Sequence, residues 1–307
     1  MIKQRSLFID CCDDHQQSYQ LHLRHIAPEG KASSPVLMVH GAIENGKIFY
    51  THKGKGVGCF LARQGFDVYV LDLRGRGQST PAISSSNKHG QFNSIAQQIP
   101  IAMNYIHQLN SNPIHLVGHS WGGIMLTSTL VRYPDLANMV STKLFFGTKR
   151  SISVSHLKKR LMIDVLWNGV APLLSKVMGY LPAKQLQLGS DNETYDYLKE
   201  SRPWVNGKPW KDVVDGFDYE QAAIAHQDRL SNIPVWHFAA VDDHVLGHPV
   251  DVKRFQREAQ QEHGKYTLLG KAQGNLADYD HITMLTHPKC EQDHFPQIAK
   301  WMLQLSH

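Results

Sequence analysis

A chain of 307 residues with 42% hydrophobic and 19% charged side chains can bury a sizeable core, which argues against disorder. The formal net charge is +5, but the basic residues are scattered and their densest run is Lys158-Lys159-Arg160. Without a basic array interleaved with aromatics, no nucleic-acid partner is expected. The four cysteines Cys11, Cys12, Cys59 and Cys290 include an adjacent pair and fit no zinc spacing. Reduced thiols, no metal and a cytoplasmic location are therefore expected. Residues 1–14 hold no apolar stretch long enough for a signal peptide. No window reaches about 18 uninterrupted apolar residues, so no transmembrane segment is expected.

Residues 6–10 and 19–25 alternate like an antiparallel edge hairpin. Apolar runs at 36–39, 68–71, 114–117, 143–146, 235–239 and 266–269 read as buried parallel strands. Helical patterns lie between or after them at 57–64, 94–109, 123–132, 250–260 and 295–305. Strand and helix in alternation predict an α/β fold with a doubly wound, mostly parallel sheet. Residues 148–232 break this rhythm and are too long for a loop. Helices are expected there at 156–167, 171–178, 194–200 and 219–230. The chain thus divides into a core of residues 1–147 and 233–307 with a helical cap at 148–232.

Gly118-His119-Ser120-Trp121-Gly122 stands between an apolar strand and a helical pattern. That is the context of a G-x-S-x-G nucleophile elbow, a tight turn that exposes a serine hydroxyl at a helix N-terminus. Ser120 is the candidate nucleophile. An acid and a histidine have to follow in that order. The strand at 235–239 runs into Val241-Asp242-Asp243-His244, and the strand at 266–269 is followed by Tyr279-Asp280-His281. His281 is the candidate base. Asp242 and Asp243 both remain candidates for the acid, since adjacent side chains in an extended stretch point oppositely and only one can face His281. An oxyanion hole needs backbone N–H groups after the nucleophile and after an early strand. Trp121 and, in His40-Gly41-Ala42, Ala42 are placed to supply them.

With those residues the chain resembles the α/β-hydrolase superfamily. The resemblance is carried by His40-Gly41, by the run from Asp72 to Ser79, by the elbow through Gly123, and by Asp243 and Asp280-His281. The stretch from His40 to Ser79 is also similar to the acid lipase and monoacylglycerol lipase branches. The resemblance implies a serine nucleophile, an aspartate acid and a histidine base, and favours Asp243 over Asp242. His119 and His40 are expected to support the turns beside them, and Asp72 with Arg74 to pair and shape a loop. Phe49, Tyr50, Met125 and Trp167 are expected to line the substrate pocket, with Trp204 and Trp210 adding to its apolar character. The stripe Leu161, Val165 and Trp167 with Leu173, Leu174, Val177 and Met178 reads as the underside of the cap. Beside the basic run it has a second reading, a weak contact with a lipid surface.

The activity expected is hydrolysis of a small-molecule carboxylic ester through an acyl-enzyme, with no cofactor. An acyltransferase on the same triad is the alternative enzyme. A catalytically silent binding module on the same scaffold is the alternative of another class.

Overall fold

The structure, a computed structural model, describes residues 1–14, 16–30, 32–155 and 157–306, with only the backbone of Lys158. In chain order the strands are β1 (Ile2–Cys12), β2 (Ser18–Pro28), β3 (Pro35–Val39), β4 (Asp67–Asp72), β5 (Ile114–His119), β6 (Val140–Phe146), β7 (Tyr180–Leu181), β8 (Glu193–Thr194), β9 (Val235–Ala240) and β10 (Lys265–Leu269). Eight of them form one sheet in the order β1-β2-β4-β3-β5-β6-β9-β10. Only β1 and β2 run antiparallel to their neighbours, as the alternating edge hairpin predicts. Every other pairing in this sheet, from β4 across to β10, is parallel.

The central strands are buried on both faces, which is why they read as unbroken apolar runs. Alternate residues serve opposite cores. On one face Leu37, Tyr69, Leu71 and Leu116 pack with Ile99 and Met103 of the helix Ile99–Leu109 and with Ile124 of the helix Trp121–Arg132. On the other, Val36, Met38, Val68, Val70 and Val117 pack with Phe60 and Leu61 of the helix Val57–Arg63 and with Ile298 and Met302 of the helix Phe295–Gln304. Helices on both sides of a parallel sheet place its crevice at the carboxyl ends of the strands.

Between β6 and β9 the chain makes a helical excursion. One continuous helical run extends from Leu157 to Met178 where two helices were expected; His156 lies outside the described residues. The break expected near Asn168-Gly169 is absorbed by π-helical turns over Arg160–Val170. The part Arg160–Met178 is long and apolar enough to cross a membrane by length and composition, where no such segment was expected. Asp164 and Lys176 interrupt any purely apolar run there, but they do not remove its apolar average.

The hairpin β7–β8 follows, and Thr194 caps the helix Tyr195–Val205 by accepting from the Tyr197 N–H. This hairpin is tied to the loops of the core. Arg76 and Glu193 form a fully buried ion pair, Glu193 also accepts from the Ile43 N–H, and Asp191 accepts from Asn45 Nδ2 and the Gly77 N–H. One expectation for nearby residues fails. Asp72 pairs with His22 at 2.7 Å and Arg74 with Asp13 at 2.8 Å, so the two do not pair with each other. The register of β2 against β4 sets His22 opposite Asp72 and decides the partner.

The buried Arg76–Glu193 pair generates a stability prediction. Arg76→Met leaves Glu193 buried without its counter-charge and should lower unfolding free energy by about 3 kcal/mol, whereas Arg76→Met with Glu193→Met should recover most of that loss. Urea unfolding of both variants checks this; equal losses would contradict it.

Candidate active site

Four strand ends converge at one edge of the sheet. After β5 the chain turns at Ser120, with φ 52° and ψ −120°, into the helix beginning at Trp121. Such a conformation is strained for a residue with a side chain and persists only where its surroundings fix it. Here close approach does so. A Cβ on Gly118 would stand 2.5 Å from Gly123 Cα, one on Gly122 2.1 Å from the Val39 carbonyl oxygen, and one on Gly123 2.2 Å from Thr148 Oγ1. The Ser120 N–H donates to the Phe146 carbonyl at 2.8 Å, which pins the turn to β6. The N–H of Trp121, first in its helix, has no acceptor within that helix.

Asp243 follows β9 and His281 follows β10. His281 Nδ1–H donates to Asp243 Oδ2 at 2.5 Å, which fixes the tautomer and leaves Nε2 as the acceptor. Asp242 is exposed, and its N–H donates to the Tyr279 carbonyl. Of the adjacent carboxylates, Asp243 is therefore the one that faces His281. His244 is exposed, and Asp280 caps the turn after His281 by accepting from the Ile282 and Thr283 N–H groups. His40 is buried as a support for its loop: Nδ1–H donates to the Gly41 carbonyl and Nε2 accepts from the Leu73 N–H. Burial holds it below the ordinary imidazole value.

Sequence reasoning missed Glu44. Its Oε2 accepts from the Gly41 N–H at 2.9 Å and from His119 Nδ1–H at 2.8 Å. His119 Nε2–H in turn donates to the backbone carbonyl of His281 at 2.9 Å. Both ring nitrogens of His119 thus face acceptors, the arrangement of an imidazolium beside a carboxylate. The pair couples the loop after β3 to the loop that carries His281. A lone carboxylate in the neutral strand exit from His40 to Gly46 was the only local signal for it.

The electrostatics follow from this packing. Burial pushes Glu44 up, but the charge and hydrogen bond of His119 pull it further down, to about 2. Burial pulls His119 down, and Glu44 more than offsets this, so His119 lies above its ordinary value. Burial likewise pushes Asp243 up, and the charge and hydrogen bond of His281 carry it down to about 2. For His281 burial is the largest influence and lowers it. Asp243 opposes that shift, while His119, with its ring 4.7 Å away, and Lys149 add to it. Lys149 is itself held down to about 8 by burial.

Ser120, Trp121, Ala42, Lys149 and His281 all line one cavity of about 580 Å³. Its remaining wall is largely apolar and includes Ile163, Leu166, Trp167 and Leu181 from the excursion, with Leu246 from the core. Of the four residues expected in a substrate pocket, Trp167 lines this cavity. Phe49, Tyr50 and Met125 do not line the cavity and are packed in the two cores, Met125 behind Tyr197, whose hydroxyl touches its sulfur. Trp204 and Trp210 are also buried, packed with Tyr219 and Phe255 where the excursion meets the core. Their size is spent on that contact.

A family model described as serine aminopeptidase, S33, matches residues 30–273. Triacylglycerol lipase 1 of Arabidopsis thaliana is 30% identical over 143 residues, covering 42% of this chain and 36% of the relative. A probable alcohol acetyltransferase of Saccharomyces cerevisiae is 33% identical over 114 residues, covering 36% of this chain and 30% of the relative. The matches span roughly a third of the length of these curated relatives. Among solved structures, a soluble variant of the monoglyceride lipase of Saccharomyces cerevisiae, in complex with a substrate analog, superposes with a TM-score of 0.67 at 17% identity, over 99% of this chain and 96% of that one. That likeness is one of fold.

The midpoints of the two buried imidazoles should be displaced in opposite directions. By histidine NMR, His119 should have its midpoint above about 6.5 and His281 below it, and Glu44→Gln should bring His119 down. The stabilising effect of Glu44 should be complete above its ordinary 4.5 and be lost as pH falls toward about 2. That of His119 runs the other way: complete below about 6.5, lost as pH rises through its raised value. A wild-type His119 midpoint at or below 6.5 would contradict the imidazolium assignment.

Proposed function

The chain belongs to the serine aminopeptidase, S33, family of α/β-hydrolases, and from that membership we propose that it hydrolyses carboxylic esters through an acyl-enzyme on Ser120. The observation that supports this reading is the convergence of Ser120, the His281–Asp243 pair and the Ala42 and Trp121 backbone on one largely apolar cavity. In the proposed reaction, His281 Nε2 takes the Ser120 proton as Oγ attacks the ester carbonyl. Asp243 holds the ring by its Nδ1–H and stabilises the imidazolium that forms. The N–H groups of Ala42 and Trp121 bind the tetrahedral oxyanion. His281 returns the proton to the leaving alcohol. Water, deprotonated by the same ring, then releases the acid and restores Ser120.

Residues 148–232 act in this reading as a cap that selects the acyl or alcohol group, with Trp167, Leu166 and Ile163 as its contacts. A second reading, acyl transfer to an alcohol instead of water, is favoured by the similarity to a probable alcohol acetyltransferase. Product analysis with competing alcohol acceptors separates the two.

Ser120→Ala should cut turnover of p-nitrophenyl esters by at least about 10³-fold without changing the unfolding midpoint, and fluorophosphonate should label Ser120 by mass spectrometry. An adduct elsewhere, or turnover of aminoacyl anilides with none of esters, would overturn the proposal.

Each methylene accommodated by the cavity should raise kcat/KM about four-fold, following from about 0.8 kcal/mol per buried group, until the space is full. Trp167→Ala should move the optimum toward longer acyl chains. Profiles of the same shape for wild type and variant would remove Trp167 as a selecting contact.

A further inference from the structure

The helical run from Leu157 to Met178 is apolar on two sides. Ile163, Leu166 and Trp167 face the cavity, whereas Leu161, Val165, Leu173 and Val177 are between 57% and 78% exposed. Soluble surfaces carry isolated apolar residues, but a row of four on one helix is a patch that calls for a partner. Spacings of four residues, from 161 to 165 and from 173 to 177, keep each pair on one stripe.

A second cavity, of about 630 Å³, lies along the same helix, between it and the helix Tyr195–Val205. Its lining shares no residue with the catalytic cavity. Lys176, Lys199, Arg202 and Lys208 line it, with no carboxylate among the lining residues. None of these four cations makes an ion pair among the described residues. Arg202 Nη2 donates to the Asn168 carbonyl, and its Nε is buried with no partner there. The neighbouring Glu200 is turned inward, where it accepts from the Phe92 N–H. Leu173 belongs both to the wall of this cleft and to the exposed stripe, so cationic and apolar surface are continuous.

We infer that this face docks on an anionic lipid surface, with a phosphate headgroup in the Lys176–Lys199–Arg202–Lys208 cleft and the Leu161–Val177 stripe among the acyl chains. Charge complementarity selects the anion, and the stripe selects lipid over a free anion or a nucleic acid, neither of which gives Leu and Val side chains an apolar medium. At the start of the same helix, Lys159 is paired with Asp164 at 2.7 Å and so adds little to this cationic surface. Docking in this way sets the wall of the catalytic cavity formed by the same helix against the membrane. It goes beyond ester hydrolysis and does not depend on it.

The test is co-sedimentation of the full chain with sucrose-loaded vesicles of phosphatidylcholine containing about a third phosphatidylglycerol, against vesicles of phosphatidylcholine alone. Anionic vesicles should bind at least about ten-fold more tightly, with affinity falling as salt is raised. Lys176→Glu with Lys199→Glu and Lys208→Glu should abolish the preference for the anionic vesicles. Leu161→Gln with Val177→Gln should weaken binding about ten-fold or more, and both variants should keep the unfolding midpoint. Ser120→Ala should bind like wild type, so a failure of the hydrolase reading would leave this result readable. Equal binding to both vesicles, or none, would overturn the inference. So would a concentration-dependent dimer in sedimentation velocity that Leu161→Gln with Val177→Gln abolishes, since a second copy of the chain would then cover the face.

Discussion

The site rests on a backbone contact with no space for a side chain. At the turn after β5, Gly118 lies against Gly123, Gly122 against the carbonyl of Val39, and Gly123 against the side chain of Thr148. These contacts lock the chain between β3, β5 and the segment that follows β6, and Ser120 continues into the helix at φ 52°. Strain of this kind, of order 1–3 kcal/mol, is held by the packing around it. The hydroxyl, the first N–H of the helix and the loop after β3 therefore come to one place because the sheet dictates it.

Around that turn the charges are arranged in two layers. The outer layer is the His281–Asp243 pair, and the inner one is His119–Glu44, which lies beneath it and shares the His281 carbonyl. Each carboxylate is strongly favoured in its ionised form by its own histidine, but the histidines diverge. His119 has acceptors at both nitrogens and lies higher, while at His281 burial, joined by the neighbouring His119 and Lys149, outweighs its one acceptor and lowers it. Two imidazole–carboxylate pairs are thus shifted in opposite directions at their histidines by burial, by the count of acceptors and by neighbouring charges.

The sheet was legible because strands buried on both faces leave unbroken apolar runs, and because the edge strand β1, with one face open, alternates instead. Ser120, His281 and the Asp242-Asp243 pair stood out because each sits at a strand exit. What the sequence did not contain was the identity of distant partners. Asp72 and Arg74, two residues apart, looked like a pair, but sheet register gave Asp72 to His22. Glu44 meets His119 across 75 positions and leaves almost no local trace. Phe49, Tyr50 and Met125 show a different limit: an apolar residue beside a motif is expected to be buried, but its type does not say whether it meets a cavity or a core. The continuity of the helix through Asn168-Gly169 escaped notice because an expected break can be absorbed by a change in helical pitch.

The attachment of that helix also has a mechanical side. At its carboxyl end it stops at Gly179, whose backbone lies against Ser85, and runs into a hairpin fastened to the core by Arg76–Glu193 and by Asp191. Along its length Ile163, Ala171 and Ser175 are buried. The run is a rod roughly 30 Å long at about 1.5 Å per residue, held at its carboxyl end by that hairpin and near its middle by Asn168, which hydrogen-bonds Asn206 and accepts from Arg202. Turning it by about 10° about that anchor would sweep the far end through roughly 5 Å, about one helical turn, while the hairpin barely shifts. In a rod of that length, any rotation permitted beside Ser85 would be magnified at the far end, so the contacts of Asn168 midway along it bear directly on the shape of the cavity wall.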